Sequence, residues 1–238
     1  MFIGRIKPVT EYEQVCADLH QAFLRRGAPE ESVRLVGLLF ARQASPLAQK
    51  EIIPNLAYFN ARSGDNVNFY CGGYWAGDLP PDPHTGRVQV GNGWVYSDER
   101  FDEFRKQVEQ RSAWRYSGGA DLILLNARFQ RLSLLRQMMN SGEATEVVLD
   151  FSSAIVLPLE ALRHQNIIPG VEQFFESIFR YAEEQDGCDP TWGFSQKVAG
   201  SHAGSYLLEL ILSLLPAQLG KSAKELAHFA VRDISARP

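Results

Sequence analysis

The chain has 238 residues, 45% of them apolar and 22% charged, with a formal net charge of −4. That supports one large core and argues against a general nucleic-acid binder, which needs a net basic face. The longest apolar run, Tyr206 to Pro216, is too short to cross a bilayer and carries Glu209; with no export signal at the start and three cysteines (Cys16, Cys71, Cys188) lacking metal-type spacing, the expectation is a reduced, cytoplasmic protein.

The pattern from Thr10 to Arg26 is an amphipathic helix with Tyr12, Val15, Leu19 and Phe23 on one face and Gly27 as its stop. "VRLVGLLFA", Val33 to Ala41, is a continuous apolar run of strand length, suited to a central strand covered on both faces. The next helix has Ser45 as N-cap, Pro46 at its first position and Gly64 as its stop, with a kink at Pro54. Val67 to Trp75 reads as a second strand, parallel to the first through a right-handed crossover. A Pro/Gly-rich loop, Ala76 to Arg87, leads to the short β-like pieces "RVQV" and "GWVY". The following helix, to Arg111, is capped by Ser97 and striped by Phe101, Phe104 and Val108.

Two more strands follow, Ala120 to Asn126 and Thr145 to Phe151, joined by a short helix or a long hairpin extension. "SAIVLPLEALRHQ" is a helix or a strand-to-helix passage with Pro158 near its start. From Val33 to Gln165 the order is β-α-β-α-β-β-α, which resembles the thioredoxin-like arrangement: a parallel pair, an antiparallel pair, and helices on both faces. The fold class expected is therefore α/β, a thioredoxin-like sheet domain with an N-terminal helix. The remainder reads as helical. Val171, Phe174, Phe175, Ile178, Phe179 and Tyr181 stripe one helix, and others are expected at Ser205–Gln218 and Ser222–Ile234. With Asp186 to Gly193 as hinge, the division is residues 1–185 as the α/β domain and 186–238 as a helical extension packed on it.

Redox chemistry on such a framework needs a low-pKa cysteine at the start of the first crossover helix. Ala44, Ser45 and Pro46 stand there instead, and Cys71 falls inside a strand. The acidic residues open a second route. From Ser97 onward the chain resembles metal-dependent nucleases of the restriction-endonuclease type: Glu103 or Glu109 on a helix, Asp121 opening one strand, Asp150 ending another. That resemblance implies a divalent cation held by the carboxylates and a lysine stabilising developing charge. The second motif here is Asp150-Phe151-Ser152, without the lysine. As plain strand ends, both aspartates would be partly solvated turn residues, apart in space.

Nucleophilic hydrolysis has no G-x-S-x-G elbow; Ser201, His202 and Ser205 suit a loop and helix cap. The histidines show no HxH or HExxH spacing, and neither "GNG" nor "SGG" is followed by a phosphate-binding lysine. No metal or cofactor is expected. Tyr70, Tyr74, Trp75, Trp94, Tyr96, Trp114 and Tyr116 cluster around the Pro/Gly-rich loop, and Tyr74, Trp75, Trp94 and Tyr96 are the candidate binding residues. The leading expectation is a non-catalytic α/β binding or protein-interaction module of a cytoplasmic, bacterial system, with a protein partner or a second copy. The alternative is a divergent nuclease-like phosphodiesterase using Asp121, Asp150 and Glu109.

Overall fold

Val33 to Ala41 has the apolar content to sit at the centre of a sheet, and all of it but Val33 is buried. The computed structural model describes residues 11–28, 30–63, 67–77, 86–91, 93–132, 145–184 and 232–236. In chain order α1 (Tyr12–Arg25) precedes β1 (Val33–Ala41), α2 (Leu56–Arg62), β2 (Val67–Cys71), β3 (Tyr74–Ala76), β4 (Arg87–Gln89) and β5 (Trp94–Ser97). Then come α3 (Asp98–Arg111), β6 (Ala120–Arg131), β7 (Thr145–Pro158), α4 (Leu159–His164) and α5 (Val171–Glu184). The protein is a mixed α/β fold whose four-stranded sheet has the order β2-β1-β6-β7. β1 and β2 are parallel; β6 runs antiparallel to β1, and β7 to β6.

Helices cover both faces of this sheet. On one, Phe40 of β1 packs against Phe101 and Phe104 of α3, and Phe23 of α1 stacks on Phe129 of β6 at 5.2 Å. On the other, Phe69 of β2 meets Phe175 and Phe179 of α5, and Phe59 of α2 packs on Phe175. Glu51 ties that second layer together. Its carboxylate accepts from Arg163 Nε and from the Val171 N–H at the start of α5, both at 2.8 Å.

The kinked helix begins as its local signals dictate, Ser45 Oγ accepting from the Ala48 N–H at 3.2 Å. Pro54 cannot donate to a regular ladder, and the chain meets it with a π turn at Ala48–Ile52 and a tight turn at Ile53–Asn55 before α2.

Three expectations change. The single strand from Val67 to Trp75 is two strands in different sheets, because Gly73 takes φ +80°, where a Cβ would lie 2.8 Å from Phe101 Cβ. β3 then pairs with β5, and β5 with β4, in a small antiparallel sheet. The later strands are longer than their apolar cores suggest, reaching Arg131 and Pro158. The end of the expected Ser222–Ile234 helix is extended: Arg232 bridges Ala154 and Ser235 bridges Ser112. The hinge at Asp186–Gly193 and the helix at Ser205–Gln218 lie outside the described residues. Among the described residues no helix is long and apolar enough to cross a membrane.

Candidate functional site

β1 and β6 keep one register throughout, Phe40 opposite Asp121 and Leu35 opposite Asn126, and Asn126 faces Asp150 on β7. Phe40 and Leu35 are five residues apart on a regular strand, so Asp121 and Asp150 project from opposite faces of the sheet. Along β6 the offset adds about 17 Å at roughly 3.3 Å per residue. Ligands to one metal stand about 2.0–2.6 Å from it. The two carboxylates do not meet.

Each is engaged locally. Asp121 is not the partly solvated strand end expected of it: it is 1% exposed. Its carboxylate accepts from the Ser117 N–H at 2.9 Å and the Ser117 hydroxyl at 2.6 Å, clamping the turn that feeds β6. Burial raises its pKa and the Ser117 bonds pull against that rise. Asp150 accepts from Arg128 Nε and Nη2 at 2.9 and 2.7 Å, and from the Ser152 N–H and hydroxyl at 3.0 and 2.5 Å. Burial would push its pKa up, but the Ser152 hydroxyl and Arg128 guanidinium prevail and hold it below the ordinary value. Glu109 accepts from Arg105 Nη1 at 2.6 Å and the Tyr116 N–H at 3.0 Å. Glu109 and Asp121 thus hold neighbouring amides of one segment, and Glu103 is exposed on α3. Among the described residues no three His, Cys, Asp or Glu side chains converge to hold a metal ion.

The opposite pKa shifts of the two aspartates give opposite linkage. Asp121, raised, contributes stability that is present below the unfolded carboxylate pKa and lost as pH rises through its folded value; Asp150, lowered, contributes stability lost as pH falls through its own. The stability of wild type minus that of Asp121→Asn is therefore expected to fall as pH rises from about 4 to 7. Urea melts at several pH values test this, and a difference that rises over that range would refute it.

The four aromatic residues expected at a binding surface are buried: Tyr74 0%, Trp75 3%, Trp94 3% and Tyr96 1% exposed. Tyr74 and Tyr96 lie ring to ring at 4.6 Å, directly opposite each other in the small sheet, and Tyr96 packs on Phe101. Arg100 lies over the Trp75 ring at 5.2 Å. Large amphipathic rings at sheet positions serve a core as readily as an interface, and here the small sheet closes over α3.

That closure covers the end of β1, where the crossover helix starts. Arg42 donates to Asp98 at 2.7 Å and Asp102 at 2.6 Å, with its guanidinium 4.7 Å from the Phe101 ring centroid. Burial raises the pKa of both the Tyr96 and Tyr116 phenols, and hydrogen bonds from the Gln43 and Arg42 backbone oppose the rise. Tyr96 also donates to Asp98 at 2.8 Å. The Arg42 guanidinium after β1 is thus paired with two carboxylates, one of which also accepts from Tyr96. Arg42 escaped the sequence reading, although a cation directly after an apolar strand and before a Ser-Pro helix start was a visible signal.

Cys71 is buried among Leu39, Leu56, Phe59, Phe69 and Phe175, and burial drives its thiol pKa far up. Cys16 is pushed up to about 11, burial again the main cause. Both are poor thiolates at neutral pH. His20 lies 2.9 Å from Thr145 Oγ1, and His164 is exposed at the end of α4. His84, His228, Ser201, His202 and Ser205 lie outside the described residues. Compared with protein-family models, curated proteins and solved structures, the chain matches none.

Proposed function

We propose that the chain is a non-catalytic α/β binding or protein-interaction module of a cytoplasmic, bacterial system, built on a thioredoxin-like framework. The strand order β2-β1-β6-β7, with a parallel first pair and antiparallel pairs after it, supports the framework. The observation that carries the function is the engagement of Asp121, Asp150 and Glu109 in the fold itself. Asp121 clamps Ser117, Asp150 is held by Arg128 and Ser152, and Glu109 is held by Arg105 and the Tyr116 amide. The loop where thioredoxin-like chemistry would sit carries Arg42, paired with Asp98 and Asp102, and Ser45, which caps the helix that follows. The partner is a protein or a second copy. The free thiols of Cys16 and Cys71 accord with a reducing compartment.

Calorimetric titration of wild type and Asp121→Asn with magnesium and manganese tests this reading. Neither is expected to bind stoichiometrically, because one buried carboxylate occupied by Ser117 offers a cation too few oxygens. Stoichiometric binding by wild type that Asp121→Asn abolishes, with manganese-dependent phosphodiester cleavage, would replace this reading with the nuclease-like one.

A further inference from the structure

β6 and β7 hold one register from Asp121↔Pro158 to Leu124↔Ile155 and another from Asn126↔Asp150 to Arg131↔Thr145. Between the two, Leu125 alone stands against four residues of β7, Phe151 to Ala154. A bulge of this size turns backbone groups away from the neighbouring strand, and residues 232–236 take them up. Arg232 exchanges two bonds with Ala154, its N–H donating at 2.8 Å and its carbonyl accepting at 3.0 Å. The Ile234 N–H donates to the Phe151 carbonyl at 2.9 Å. On the far side the Ile234 carbonyl accepts from the Ala113 N–H at 2.6 Å, and Ser235 bridges Ser112. The segment is laced between the β7 bulge and the end of α3, and Ile234, 8% exposed, is its one buried side chain.

Floor and wall of this slot are built without the segment. β6 pairs with β7 on both sides of the bulge. The end of α3 is held by the Ser112 hydroxyl, which donates to the Val108 carbonyl at 2.8 Å and accepts from the Trp114 N–H at 3.3 Å. Main-chain bonds to a sheet edge with one seated side chain are how extended peptides are recognised by strand addition.

We infer that the β7 bulge and the end of α3 form a strand-addition site for an extended peptide with a branched aliphatic anchor, occupied in cis by residues 232–236. The site takes its affinity from the backbone at the Arg232 and Ile234 positions and its selectivity from the apolar seat of Ile234. A competing peptide must carry the same aliphatic residue between polar neighbours, as Asp233 and Ser235 flank Ile234 here. This deepens the binding-module reading, on which it rests, by naming a surface and a ligand class. Failure of the peptide test leaves the non-catalytic reading standing, whereas metal binding through Asp121 removes that reading without bearing on the slot.

The probe is a fluorescent peptide of residues 230–238, titrated by anisotropy into the full chain, wild type and Ile234→Asp. The variant is expected to bind it about tenfold tighter or more, because the wild-type slot is filled by a tethered competitor at high effective concentration. The same peptide carrying Ile234→Asp should bind neither. Equal binding by the two chains, or none by the variant, would overturn the site. A measurement on wild type alone stands apart from the variant's folding: the amides of Ala113, Ala154 and Ile234 should exchange hydrogen about tenfold faster or more than those of Leu38 and Ile123 at the centre of the sheet. Exchange at the same rate would mean that the segment leaves only on global unfolding, and the inference would fall.

Discussion

Phe40→Ala is expected to destabilise the protein by about 3–5 kcal/mol, the cost of emptying a fully buried aromatic site that cannot collapse. Phe40 is 0% exposed and sits where the sheet, α3 and the segment after α3 meet. Its ring lies 5.2 Å from Phe104 and 6.2 Å from Phe101, both on α3, and 4.6 Å from Trp114 on the segment after it. No neighbour can close the space alone, because α3 is fixed through its Ser97 cap at one end and Ser112 at the other. Denaturant unfolding should show a lower midpoint at unchanged slope. A loss below about 1 kcal/mol, the scale of a surface change, would place the centre of the core elsewhere.

Gly37→Ala, the addition of a single methyl group, is expected to cost about 1–3 kcal/mol by overpacking. A Cβ on Gly37 would stand 2.6 Å from Phe69 Cε1 and 2.7 Å from Cδ1. The Phe69 ring is hemmed in on the α5 side, with Phe175 at 4.9 Å and Phe179 at 5.2 Å. β1 cannot shift either, being paired on both edges. Phe69→Leu in the same chain should recover part of the loss, giving a coupling of about 0.5–3 kcal/mol in a double-mutant cycle. Strictly additive effects would show that the clash relaxes by another route.

Local physical chemistry decided much of this protein before any tertiary contact formed. The apolar run at β1 had to be a covered strand. Ser45 with Pro46, and Ser97 with Asp98 and Glu99, had to start helices, because capping is satisfied within one turn of the chain. The Phe101-Phe104-Val108 stripe had to face a core. What stayed illegible was decided by residues distant in sequence. The turn between β2 and β3 needs glycine at 73, because Phe101, a residue of α3, crowds the position that any other residue's Cβ would take. Tyr74, Trp75, Trp94 and Tyr96 have the composition of a binding surface, but a ring carries no local sign of whether a helix will cover it. Asp121 and Asp150 lie on strands whose spacing is visible in sequence, yet the face and register of each depend on pairing with β1 and β6. Arg232 to Ile234 read as the end of a helix by periodicity and are extended instead, because the β7 bulge offers them backbone partners that the chain's own i→i−4 ladder would otherwise supply.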